Sequence, residues 1–239
     1  MNFSSQKVLA VIPARGGSKG IPGKNIIKVN GIPLLEYTIR SALESSHITD
    51  IALSSDSCQI LSICNKYNQV RPILRPSYLA DDNSSSYDAV IHALSSFEEF
   101  SGVTYDIIIM LQPTTPFRET NLIDNCLISL NSDNFDSVLT LVDVGAIHPQ
   151  RMYDIDANGK IEPLLLNQED PMAPRQSLKK YYIRSGDVYA IKRSSLFLFK
   201  SLIGSQCHGY VISPDFAINI DTPLDLELAN ILAPKFNQI

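Results

Sequence analysis

"VLAVIPARGGSKGIPGKN", residues Val8 to Asn25, joins a short apolar run to a loop crowded with glycine and positive charge. The run "VLAVI" reads as a strand buried on both faces, because it is apolar without alternation. The loop then carries Arg15, Lys19 and Lys24 among Gly16, Gly17, Gly20 and Gly23, with Pro13 and Pro22 limiting its freedom. A glycine-rich basic loop leaving the C-terminal end of a first strand is where open α/β sheets bind phosphate. The chain as a whole has a formal net charge of −5 over 239 residues, so the local crowd of cations marks an anion site and not general basicity.

Outward from this loop, short β-rich runs alternate with segments of helical period. The runs are "IALSS" (51–55), "PILR" (72–75), "DIIIML" (106–111) and "SVLTLV" (137–142). Between them Leu35, Ile39 and Ala42, then Ile60 and Cys64, then Val90, Leu94 and Phe97 recur at helical spacing and read as core. The expected fold is α/β: a mainly parallel, Rossmann-like sheet with helices on both faces. After Val142 the rhythm breaks. "MYDIDANGKIEPLL" (152–165) reads as a hairpin with Asn158-Gly159 in a type I′ turn, and a polar stretch containing Pro171 and Pro174 follows. The sheet is expected to resume with "SGDVYAI" (185–191), "GYVIS" and "FAINID", with a helix from Ser194 between the first two. The last helix has Thr222 as N-cap, Pro223 at its first position and Asp225 three residues after the cap. The organisation is thus one domain over residues 1–239, with an arm inserted at about 145–182.

Composition excludes several classes. A hydrophobic content of 44% against 19% charged suits a soluble protein with a large core. Net acidity argues against a nucleic-acid partner, and no apolar run is long enough to span a bilayer. The start, "MNFSSQK", has no signal-peptide pattern, so a cytoplasmic location is expected. Cys58, Cys64, Cys126 and Cys207 form no CxxC pair and read as buried reduced thiols. The four histidines show no metal spacing, and His92, on an apolar helix, reads as packing.

Two phosphate-binding fingerprints fail on spacing. A dinucleotide loop needs glycines at i, i+2 and i+5, and neither Gly16 nor Gly17 begins such a set. A Walker loop needs a glycine where Ser18 stands and Ser or Thr where Asn25 stands, which disfavours a P-loop kinase or NTPase. The remaining reading is a wrap-around loop whose Arg15, Lys19 and Lys24 converge on a polyanion, with the glycines freeing backbone N–H groups to donate. A solvated basic loop is the plain alternative.

"IPARGGSKGIPGKN" resembles the signature of the acylneuraminate cytidylyltransferases, which activate sialic acids and related nonulosonic acids with CTP. The resemblance runs on through "LSSD" (53–56), "RPSYLADDNSSSYDAVIHAL" (75–94), "LQPTTPFR" (111–118), "PRQ" (174–176), "SGDVYAI" (185–191) and "INIDTPLDLELA" (218–229). It implies a CTP site formed by Arg15, Gly16, Gly17, Ser18, Lys24, Asn25, Arg75, Ser84, Ser86 and Gln112. Here the loop would embrace the triphosphate, and Arg75, Ser84 and Ser86 would read cytosine. Ser84 or Ser85 also suits a helix cap.

For the sugar the resemblance implies Gln112, Arg175, Gln176 and Tyr189, with Arg175 clamping a carboxylate; an ion pair of Arg175 with Glu169 or Asp170 is the plainer role. Arg15, Lys19, Lys24 and Asp221 would be catalytic. A triphosphate reaction normally needs Mg²⁺ or another divalent cation. The strand ending "MLQPTTPFR" offers no Asp, so Asp221 is the expected ligand, placed at the end of a late strand. Some family members carry a second Asp where this chain has Asn219, which can ligate only weakly. The partners implied are CTP, an α-keto acid sugar and a second copy of the chain, a homodimer through the arm. Tyr153, Ile155, Ile161, Leu164, Leu165 and Leu166 supply apolar surface for it. Asp187 departs from the small residue often found at its position in the family and Arg184 adds charge; either would adapt the pocket to a diamino sugar.

The nearest alternative is an octulosonate cytidylyltransferase, towards which "IPGK" leans, while "GGSKG" and "RQ" follow the nonulosonate pattern. A non-catalytic nucleotide-binding relative would show loss of Arg15, Lys24, Gln112 or Asp221, and all four are present.

Overall fold

The computed structural model describes residues 6–132, 134–165 and 172–236. The chain runs β1 (Val8–Pro13), a short hairpin of β2 (Lys28–Val29) and β3 (Ile32–Pro33), α1 (Leu34–Glu44), β4 (Asp50–Ser55), α2 (Cys58–Leu61), β5 (Val70–Leu74), α3 (Ser86–Ser101) and β6 (Ile107–Met110). It continues through α4 (Leu122–Ser132), β7 (Ser137–Asp143), the hairpin β8 (Tyr153–Ile155) and β9 (Ile161–Pro163), β10 (Tyr182–Lys192), α5 (Arg193–Phe199), β11 (Cys207–Val211) and α6 (Pro223–Phe236).

Seven strands form one sheet in the order β11-β7-β10-β6-β1-β4-β5. All neighbours are parallel except β10, which runs antiparallel to both β6 and β7. The unalternating apolar runs are explained by burial on both faces. Val8, Ala10 and Ile12 of β1 join one core cluster with residues of α1, α2 and α4, and Leu9 and Val11 join the opposite one with α3 and α5. A third cluster packs α6 on the segment after β1 and on Phe117.

Both α3 and α6 begin on caps that lie beside the first strand's loop. Ser85 Oγ accepts the Asp88 N–H at 3.0 Å. At α6, Thr222 Oγ1 accepts the Asp225 N–H at 3.3 Å, while Asp225 Oδ2 accepts from Thr222 N–H at 2.7 Å and Asp221 N–H at 3.0 Å. This reciprocal cap fixes the backbone of Asp221.

Several expectations need correction. "FAINID" forms no strand; Ile220 N–H makes a single bond to the Thr114 carbonyl at 2.9 Å, and its alternation reflects Ile218 and Ile220 packing under α6. The β8–β9 loop is not type I′, because Gly159 has φ +83° while Asn158 stays at negative φ. Gly159 N–H bonds the Asp156 carbonyl and Asp156 N–H the Lys160 carbonyl, a three-residue loop closed by a left-handed glycine. The positive-φ pair is instead Asn30-Gly31, at φ 47° and 81°, in the β2–β3 hairpin. Cys58 is exposed and Cys207 partly so; only Cys64 and Cys126 are buried. No helix among the described residues is long and apolar enough to cross a membrane.

Candidate active site

β1, β4 and β6 all deliver their C-terminal ends to one side of the sheet, because they are parallel. The loop after β1, the segment 75–86 after β5 and the segment after β6 therefore meet there, in a cleft of about 490 Å³. Its walls carry Arg15, Ser18, Lys19, Lys24, Asn25, Arg75, Ser84, Ser86, Gln112 and Asp221. Residues from four separate stretches of sequence are thus brought to one place.

The loop is held from several directions. Gly16 N–H donates to Asp56 Oδ1 at 2.8 Å, and the buried Asn25 amide donates to the Arg15 carbonyl at 2.8 Å, closing the turn. Gly20 lies so close to the Asp221 carbonyl that a Cβ there would collide with it. Gly17 faces open space, and neither it nor Gly16 is among the cleft walls. Lys24 Nζ donates to Asp221 Oδ1 at 2.7 Å, and Asn219 Nδ2 donates to Asp221 Oδ2. Arg15 Nη1 and Lys19 Nζ both reach Asp82, at 2.9 and 2.6 Å.

Arg75 is buried, and its Nε has no hydrogen-bond partner. Burial lowers its pKa, with Arg15 adding to the effect and Asp56 opposing it. Arg75 thus puts a largely desolvated guanidinium in the cleft wall, with no protein acceptor on its Nε. Ser84 Oγ donates to the Tyr78 carbonyl at 2.9 Å, and the neighbouring Ser85 provides the cap of α3.

Beneath Gln112 lies a buried network. Arg118 Nη2 donates to the Gln112 carbonyl at 2.8 Å and Nη1 to Thr38 Oγ1 at 3.0 Å, while Nε and Nη2 also bond the Asp187 carbonyl. Burial pushes Arg118 down to about 10 despite the Asp187 charge. Asp187 is fully enclosed, its carboxylate oxygens lack hydrogen-bond partners, and burial raises its pKa while Arg118 pulls it back. Asp187 therefore balances Arg118 inside the protein and does not line the cleft, contrary to the expectation that it shapes a sugar pocket. Gly186, at φ +92°, packs on the Gln112 amide, where a Cβ would approach Oε1 to 2.8 Å.

The expected sugar residues are not gathered. Tyr189 is only 8% exposed, pairs with Met110 across β10–β6 and belongs to the second core cluster. Arg175 and Gln176 sit exposed on a short 3-10 turn, Arg175–Ser177, where Arg175 lies near Gly145. Glu169 and Asp170, the alternative partners for Arg175, lie outside the described residues, as does Leu166. His148 is structural: its Nε2 meets the Lys179 carbonyl at 2.8 Å and its Nδ1 accepts the Gln150 N–H.

Sequence reasoning missed Asp56, Asp82 and Arg118. Asp56 stands at the C-terminal edge of β4, where such residues gather in open sheets. Asp82 and Arg118 lie inside the stretches 75–94 and 111–118, but nothing in their local pattern gave either a role. A second cavity, of about 300 Å³, lies between α1 and the start of α4. Its Asp124 already bonds Ser45 and Ser46, and its Glu119 accepts the Ser213 N–H.

A mainly parallel sheet with a cationic glycine loop and an unsatisfied arginine at its C-terminal edge defines a nucleotide-binding α/β protein. Residues 9–204 match the family model described as cytidylyltransferase, and the chain belongs to that family of nucleotidyltransferases. It is 32% identical to the CMP-N,N'-diacetyllegionaminic acid synthase of Legionella pneumophila over 95% of this chain and 96% of that protein. It is 31% identical to the pseudaminic acid cytidylyltransferase of Campylobacter jejuni, with the same coverage of each chain. An N-acylneuraminate cytidylyltransferase of Escherichia coli is 29% identical over 97% of this chain but 53% of its own length. In fold, the chain is similar to a solved CMP:2-keto-3-deoxy-manno-octonic acid synthetase in complex with CTP, with a TM-score of 0.69 at 19% identity over 96% and 99% of the two chains.

Proposed function

We propose that this chain joins CMP from CTP to a nonulosonic acid of the sialic, legionaminic or pseudaminic type, releasing pyrophosphate. The observation that carries this reading is the convergence of Arg15, Lys19, Lys24, the unsatisfied Arg75, Gln112 and Asp221 on one cleft. The names of relatives covering nearly the whole chain support the sugar class.

In this reading Arg75, Ser84 and Ser86 take the cytosine, whose O2, N3 and N4 edge matches a cluster of donors and acceptors. The loop from Arg15 to Asn25 receives the triphosphate. The anomeric 2-hydroxyl of the sugar acid attacks the α-phosphorus in line; a new O–P bond forms as the bond to the β-phosphate breaks. Arg15, Lys19 and Lys24 neutralise the charge that accumulates on the departing pyrophosphate. Asp221 takes the hydroxyl proton. Gln112 holds nucleotide and sugar together, with its backbone fixed by Arg118.

A divalent cation such as Mg²⁺ that arrives with the substrate would be held by Asp221, with Asn219 at most a weak second donor. Among the described residues no group of three or more His, Cys, Asp or Glu side chains could hold a metal ion. Lys24 and the Asn219 N–H engage the two Asp221 oxygens, so the carboxylate would turn to the cation as Lys24 turns to phosphate, with phosphate oxygens and water completing the shell. Bound there, it would stabilise charge on the α-phosphate.

Arg175 and Gln176 fit the sugar carboxylate and N-acyl groups only if the arm reaches a second copy. The exposed Tyr153, Ile155, Ile161 and Leu164 on the β8–β9 hairpin supply an apolar surface for that homodimer. The test is pyrophosphate release with CTP and Mg²⁺ against N-acetylneuraminic, N,N'-diacetyllegionaminic, pseudaminic and octulosonic acids. Release with a nonulosonic acid supports the reading. Release with the octulosonic acid alone favours that alternative, and none with any acid refutes the enzyme assignment.

A further inference from the structure

We propose that Asp82 is an internal stand-in for phosphate, which sets how tightly the cleft holds triphosphate and pyrophosphate while leaving the monophosphate unaffected. The inference rests on the CTP reading above and adds a residue to it. Asp82 uses both carboxylate oxygens, Oδ1 on Arg15 Nη1 at 2.9 Å and Oδ2 on Lys19 Nζ at 2.6 Å. Two oxygens on one carbon, each facing a different cation, reproduce the arrangement that two phosphate oxygens would adopt between the same side chains. Lys19 is the main cause holding the Asp82 carboxyl below its ordinary pKa, with Arg15 assisting. The third loop cation, Lys24, is paired with Asp221.

The clasp crosses the cleft. Arg15 and Lys19 belong to the loop after β1, whereas Asp82 belongs to the segment that carries Ser84 and the Ser85 cap. A polyanion that claims Arg15 and Lys19 must displace Asp82 and leave its carboxylate to solvent. The cost is the same for every ligand that needs those two cations. A ligand held by Arg75, Ser84 and Ser86 alone does not bear it. CTP and pyrophosphate are therefore weakened together, and CMP is not. The consequence for turnover lies at release: Asp82 retakes Arg15 and Lys19 as pyrophosphate departs, so the strongest cation cluster in the cleft does not trap the product.

The neighbouring Asp81 separates this effect from general charge. It also lines the cleft, but among the described residues it makes no ion pair, and its backbone carbonyl accepts the Ser84 N–H at 3.0 Å. Titration calorimetry with CTP, inorganic pyrophosphate and CMP at fixed ionic strength compares the full chain with D82N and D81N. The expected result is that D82N tightens CTP and pyrophosphate by about three- to tenfold, as fits the loss of two partly exposed ion pairs. CMP changes less than twofold, and D81N moves none of the three by more than that. Unchanged or weaker CTP and pyrophosphate binding in D82N overturns the proposal, as does equal tightening of CMP or equal tightening in D81N. A wild-type chain that binds neither CTP nor pyrophosphate refutes the CTP reading itself, and so is distinguishable from failure of the clasp.

Discussion

Lys24 Nζ stands 2.7 Å from Asp221 Oδ1, tying the glycine loop to a residue 197 positions later in the chain. The pair joins a cation placed for the β,γ-phosphates to the carboxylate assigned to the nucleophile and the divalent cation. Asp221 has 58% of its side chain exposed but Lys24 only 14%, so the carboxylate is open to substrate while the ammonium depends on it for a partner. Asp221→Asn should therefore lower the melting temperature modestly while lowering kcat by about a hundredfold or more at saturating Mg²⁺. Near-normal turnover in that variant would remove Asp221 from the chemistry.

Gly20 offers a steric test of the same junction. Its α-carbon lies against the Asp221 carbonyl with no room for a Cβ. Gly20→Ala must push the loop from the capped start of α6, and a displacement of about 1 Å at a catalytic group can cost about a hundredfold in rate. The expected outcome is a drop in kcat/KM for CTP of that order with the far-ultraviolet circular dichroism spectrum unaltered. Wild-type kinetics would show that the loop and Asp221 need not be in contact.

The Arg118–Asp187 pair predicts a pH-dependent stability loss. Removing Arg118 takes away the charge that opposes the effect of burial on the Asp187 carboxyl and leaves the Gln112 and Asp187 carbonyls short of a donor, a change that costs on the order of 3 kcal/mol. Asp187 is already raised by burial, and loss of Arg118 raises it further. A raised carboxyl binds its proton more tightly in the folded state, so lowering the pH through that value favours folding. Denaturant melts of Arg118→Met should show the full deficit at neutral pH and a shrinking one as the pH falls towards the ordinary carboxylate range. A deficit independent of pH would mean that lost packing and hydrogen bonds, not the uncompensated buried charge, are its cause.

The arm gives a test of assembly. Ile155 and Ile161 are 66% and 56% exposed and pair across β8–β9. Charging both, as in Ile155→Asp with Ile161→Asp, should convert a dimer to a monomer by light scattering and abolish sugar-dependent turnover while CTP binding persists. A wild-type monomer at micromolar concentration would end the dimer reading.

How far the sequence could be read follows from what each residue's signal depends on. The strands were legible because a sheet covered on both faces needs unbroken apolar runs, as Val8 to Ile12 and Ile107 to Met110 show. The α6 cap was legible because its hydrogen bonds are local. "FAINID" misled because alternation records which side chains are buried, whereas a strand also needs a partner ladder that Ile220 lacks. The two Asn-Gly pairs differ because neighbouring bonds choose the turn: Asp156 Oδ1 accepts from Asn158 and Lys160 N–H groups, favouring the three-residue loop. Asp82 and Arg118 were invisible because Arg15 and Lys19 in the one case, and Thr38 and Asp187 in the other, lie more than sixty positions away and meet them only in the folded sheet.

The most direct measurement is the mass of the product formed when the chain is incubated with CTP, Mg²⁺ and a nonulosonic acid. The expected product is a conjugate of CMP and the intact sugar acid, formed in step with pyrophosphate. CTP left unconsumed with every acid, or converted only to CMP or CDP with no sugar attached, would contradict it.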